Sequence, residues 1–88
     1  MSQKEIFNKV NLILSEWNPL SLSKVLALDE YCGYVPKIIK SSTNINILIE
    51  CLEKILIDLG VGYNKDNENH KKDLLNVANS IKNAVDKL

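Results

Sequence analysis

Acidic, aromatic and thiol side chains crowd into one stretch of the chain, residues 17–34, WNPLSLSKVLALDEYCGY. It holds the only tryptophan, one of two prolines, two of three tyrosines, one of two cysteines and an Asp29-Glu30 pair set against Tyr31. Paired carboxylates suggest acid–base work. Adjacent helical residues point about 100° apart, however, so these two do not face each other across a substrate. Two readings stand for the pair: a helix cap with a dipole-matched acid, or an anionic recognition patch. Tyr31 and Tyr34, three apart, share nearly one helix face. Tyrosine beside acids is also a composition favoured where proteins meet, because the ring gives contact area at low entropy cost. Asp29, Glu30, Tyr31 and Tyr34, joined by Glu16, are therefore the candidate partner-binding residues.

The remaining reactive side chains do not converge. His70 is the only histidine and lies in a polar loop, while Cys32 and Cys51 lack CxxC spacing and a nearby histidine. That is not a zinc set, and buried reduced thiols are the commoner fate of such cysteines. The Asx-rich run at 64–69 lacks the alternating ligands, central glycine and terminal glutamate of a calcium loop. No glycine-rich phosphate loop is present. We therefore assign no catalytic residue, no metal and no cofactor, and expect a protein that is not an enzyme.

Charge narrows the partners further. Eleven lysines balance eleven acids, and arginine is absent. Arginine is the preferred residue for bidentate contact to phosphate and guanine, so a nucleic-acid role is not expected. The first ten residues, MSQKEIFNKV, have no apolar core of a signal peptide. The most apolar segment, 45–59, is interrupted by five polar or charged residues and is too short to span a bilayer. A cytoplasmic protein is expected.

Helices must position these groups. Ser2 and Glu5 have capping-box spacing, and Ile6, Val10, Ile13 and Trp17, with Phe7 and Leu14 beside them, form a helical stripe. Asn18-Pro19 should stop that helix. Residues 20–28 form either an ordered loop or a short turn, capped by Ser21 or Ser23, that buries Val25, Leu26 and Leu28. Asp29 is the expected N-cap of a second helix carrying Tyr31, Tyr34, Val35, Ile38 and Ile39 on one face. Pro36 should kink it or force a fresh start near Val35. A third helix, capped by Thr43 or Asn44, runs to Leu59. It is apolar over more than half its circumference and should sit centrally. Gly60 suits the left-handed position after it, with Val61 making the accompanying apolar contact. A last helix from about Glu68 carries Leu74, Val77, Ala78, Ile81, Val85 and Leu88. Trp17, Asn18, Pro19 and Gly60 are the structural motif residues of this plan. No stretch alternates as a half-buried strand does.

The pattern W-N-P-L, then D-E-Y-x-x-Y-V-P-x-I-I, then L-x-x-I-x-x-D-L-G-V resembles a family of small uncharacterised bacterial helical proteins. Its members show W-D-P-[IL]-G, then D-E-Y-D-x-Y, then a helix ending in a G-[LV] turn. Trp17, Pro19, Leu20, Asp29, Glu30, Tyr31, Tyr34 and Gly60 match. Asn18 and Cys32 stand where aspartate is usual, and Ser21 where glycine is usual. The resemblance implies an all-helical fold with a recognition or scaffold segment. It also implies immunity or antitoxin duty, since such relatives lie beside polymorphic toxin genes.

The expectation is one all-α domain over residues 1–88: a compact antiparallel bundle of four helices, three long and one short or kinked. The expected function is non-enzymatic protein binding, most concretely as a cytosolic immunity protein that blocks a cognate toxin domain. A homo-oligomeric structural or regulatory protein, buried through the third helix as a homodimer, is the alternative. A small ligand-binding domain around Trp17 and Tyr31 is a further one.

Overall fold

Helix-forming stripes and their stop signals set the architecture seen in the computed structural model, which describes residues 3–64 and 66–86. The chain runs α1 (Gln3–Trp17), α2 (Lys24–Glu30), a 3-10 turn (Cys32–Tyr34), α3 (Val35–Ser41), α4 (Ile45–Leu59) and α5 (Glu68–Asp86). The fold is an all-α bundle, as expected. The fourth, short or kinked helix is resolved into two short helices, α2 and α3, hinged on the 3-10 turn. Ser2, half of the expected capping box, and Leu88 lie outside the described residues.

The long helices and α3 close into a ring: α1 lies on α3 and α5, and α4 lies on α3 and α5. Short α2 packs on α1. The core threads through the ring, with Val10 and Leu14 from α1, Val35 and Ile38 from α3, Leu48, Leu52 and Ile55 from α4, and Leu74, Ala78 and Ile81 from α5. The expectation of a central α4 is therefore corrected. Its inner half-face is buried like that of any ring member, and Ile47 and Ile57 on the opposite side stay 50% and 68% exposed.

Each helix end has a local cause. Asn18 adopts the left-handed conformation (φ 46°) and donates its N–H to the Leu14 carbonyl at 2.8 Å. Asparagine is the usual substitute for glycine in that cap, and Pro19 then forbids continuation. Ser23 caps α2 by accepting the Leu26 N–H at 3.4 Å. That earlier cap is why Asp29 does not start a helix. Asp29 and Glu30 are instead the last two residues of α2.

Pro36 explains the break that follows. It has no N–H to offer the carbonyl of Cys32, four residues back. The chain tightens to a 3-10 turn, in which the Val35 N–H reaches that carbonyl instead, and Pro36 falls in the first turn of α3. The fresh start near Val35 is thus observed.

Asn44 caps α4 through the Asn46 N–H at 2.8 Å. Gly60 closes it at φ 71°, with Gly60 N–H donating to Ile57 and Val61 N–H to Leu56. That pair of bonds is the Schellman arrangement anticipated for Gly60, and half-buried Val61 packs against the core. Asn67 accepts from the N–H groups of Asn69 and His70 at the start of α5. Near the other end of α5, the Lys82 ammonium donates to the Ser42 carbonyl at 3.2 Å and pairs with Asp86, tying α5 to the end of α3.

Candidate protein-binding surface

The corner after α1 is held by one carboxamide and one phenol. The Asn18 amide nitrogen donates to the Leu22 carbonyl at 2.7 Å, and its oxygen accepts the Leu22 N–H at 2.9 Å. The same oxygen accepts from the Tyr31 hydroxyl at 2.9 Å. That hydroxyl in turn accepts the Leu20 N–H at 3.0 Å. The side chain at position 18 must both donate and accept to make this set, which a carboxylate cannot do. Ser21 sits in the same turn at φ 54° and donates its N–H to the Asn18 carbonyl. Two of the three departures from the expected motif, Asn18 and Ser21, thus fall in the left-handed region, at a cap and at a turn.

The corner seats α2 on α1. Ala27, fully buried, lets the two backbones approach, and the Asn11 amide donates to the Leu28 carbonyl at 2.9 Å. The oxygen of the Asn11 amide is buried without a protein partner. With that side of α2 fixed, its other side faces solvent. Val25 and Leu26, expected inside, are 77% and 57% exposed. Asp29 and Glu30 are also exposed. Each lies one turn beyond an exposed aliphatic, Asp29 after Val25 and Glu30 after Leu26, so α2 shows an apolar step leading to an acidic edge.

The predicted site residues therefore separate. Asp29 and Glu30 lie together on the outer face of α2. Tyr31 does not join them: it is 2% exposed, and its ring belongs to the core and its hydroxyl to the corner. Tyr34 is half-buried against the core. Glu16 lines a shallow groove between α1 and α5 with Ile13, Trp17, Asn76, Val77 and Ser80. It is five residues on from Asn11, which faces α2, so its side chain points about 140° away from that helix. Trp17 is half-buried against the core, Asn18 follows α1 in the left-handed conformation, and Gly60 closes α4.

A second concentration of polar and aromatic groups lies at the α4–α5 connection. Tyr63 stacks on His70, with ring centroids 6.0 Å apart and an interplanar angle of 25°. His70 Nδ1 accepts the Asn64 N–H at 3.2 Å. Tyr63 also borders an open groove of about 470 Å³ with Glu50, Glu53, Lys54, Ile57 and Asp66. Partial burial, then the nearby Glu53 carboxylate, push the Tyr63 phenol above its ordinary value of 10.0. The available signal was an aromatic residue seven before the only histidine, across a loop short enough to fold the two together.

Among the described residues, no three His, Cys, Asp or Glu side chains are grouped to hold a metal ion, and Cys32 and Cys51 are both free thiols. No helix among the described residues is long and apolar enough to cross a membrane. What the fold defines is an all-α helical bundle. No family model matches the chain, and neither a curated protein nor a solved structure matches it.

Proposed function

We propose that this chain is a non-enzymatic protein-binding module that engages a basic partner through the outer face of α2. The observation that carries the reading is the exposure of Val25 and Leu26, 77% and 57%, directly beside the exposed Asp29 and Glu30. Apolar anchors rimmed by charge are the composition of a recognition patch. Acids at its edge would steer a cationic surface toward the anchors and set its register. A seven-residue helix supplies only part of the roughly 800 Å² that a standard interface takes from each partner. Residues flanking α2 complete the surface in this reading.

The most concrete form of the function is an immunity protein. Toxin nucleases display lysine and arginine for phosphate binding, and an acidic edge on a small rigid bundle complements such a surface. The motif resemblance supports the same reading. The direct test is co-expression with the protein encoded by the adjacent gene. Protection of growth by the wild-type chain, lost in Asp29→Lys/Glu30→Lys, supports it. A harmless neighbour, or equal protection by the charge-reversed variant, overturns it.

A further inference from the structure

The outward face of α4 carries Ile47, Glu50, Lys54 and Ile57, all exposed. Their 3-4-3 spacing places them in one stripe about 80° wide, on the side of the helix away from buried Leu48, Leu52 and Ile55. This is the a/d spacing of a coiled-coil seam. Neither Glu50 nor Lys54 holds an ion-pair partner among the described residues, although they stand one turn apart. No described helix covers the stripe.

The order of residues in the stripe identifies what fits it. A two-fold axis placed beside Leu52 brings residues whose numbers sum to about twice that position into one layer of an antiparallel pair. Ile47 then packs with Ile57 of the second copy, and Glu50 meets Lys54. The two outer layers are apolar and the two inner layers are oppositely charged, so the stripe is complementary to itself read backwards. A parallel pairing would set Glu50 against Glu50 and Lys54 against Lys54, juxtapositions that cost several kcal/mol across an interface. We propose that α4 is the self-association surface of this protein, forming an antiparallel two-fold dimer in the register Ile47–Ile57 and Glu50–Lys54. This surface is separate from the outer face of α2 and does not depend on the function proposed for that face.

Sedimentation velocity on the full chain at low salt tests the dimer and its register together. The wild type should dimerise by about 100 µM, and added salt should weaken it because the central pairs are charged. Glu50→Lys alone sets Lys against Lys, and Lys54→Glu alone sets Glu against Glu. Each should weaken the dimer about tenfold or more. The double variant Glu50→Lys/Lys54→Glu should restore it, and so should an equimolar mixture of the two single variants. All four positions are exposed, so melting temperatures near that of the wild type confirm intact folds. A monomeric wild type at that concentration overturns the proposal, as do single reversals without effect. A double variant that stays monomeric while fully folded overturns the register.

Discussion

The Tyr31 hydroxyl donates to the Asn18 carboxamide oxygen at 2.9 Å while it accepts the Leu20 N–H at 3.0 Å. One side chain from the end of α2 thereby locks the turn that ends α1, and α2 is oriented by that lock. Tyr31→Phe keeps the buried ring and removes both bonds. It should cost about 1–3 kcal/mol in urea denaturation, because the Leu20 N–H and the Asn18 oxygen each lose a partner. Asn18→Asp tests the donor separately. The introduced carboxylate faces the Leu22 carbonyl oxygen, which now accepts from the Asn18 amide at 2.7 Å. A loss of about 1–3 kcal/mol is expected at neutral pH. Acidification should recover part of it, since a protonated carboxyl regains a donor for that carbonyl.

Ser21→Gly should stabilise the protein. A side chain at φ 54° carries the left-handed penalty of roughly 1–2 kcal/mol, and glycine escapes it at an unfolded-state entropy cost of about 0.4–1 kcal/mol. The net gain is about 0.5 kcal/mol, seen as a raised urea midpoint with an unchanged slope. A decrease in stability would show that the Ser21 side chain contributes more to the turn than its backbone costs.

Tyr63 gives the fold an alkaline signature. Its phenol is raised above 10.0 in the folded state, so the unfolded chain loses that proton first as pH climbs. The protonated folded form then falls behind, and stability declines between the unfolded value and the higher folded one. Below about pH 9 this residue contributes no slope. Comparing wild type with Tyr63→Phe in urea melts cancels the lysine titrations common to both. The wild type should lose stability relative to the variant above about pH 10. Parallel curves across that range would mean that the phenol ionises alike in both states.

Much of this fold is legible because its causes are local. The stop at Asn18-Pro19, the Asn44 cap, the Gly60 closure and the fresh start at Pro36 each follow from backbone chemistry over a few residues. What escaped reading is set by competition between neighbours. Asp29 is a good cap in isolation, but Ser23 caps first, so the same acid ends a helix. Val25 and Leu26 are apolar, yet Ala27 is the residue small enough to let α2 sit on α1, and that choice turns the two aliphatics outward. The apolar excess of α4 suggested a central helix. Spacing alone puts Ile47, Glu50, Lys54 and Ile57 in one stripe, but only the ring topology shows that this stripe faces outward. Tyr63 and His70 meet through a loop whose composition announces a turn but not which side chains it brings together.

The position of Asp29 and Glu30 gives the acidic edge a clean test. Both sit at the carbonyl end of α2, where the helix dipole disfavours anions. Asp29→Lys/Glu30→Lys should therefore leave stability unchanged or raise it by up to about 0.5 kcal/mol, so any loss of binding is not a loss of fold. The deciding measurement is titration calorimetry of the adjacent gene's product against the wild-type chain and this variant. Binding by the wild type, weakened about tenfold or more in a variant that melts no lower, is the predicted result. Equal affinity for both chains, or no binding by the wild type, would contradict it.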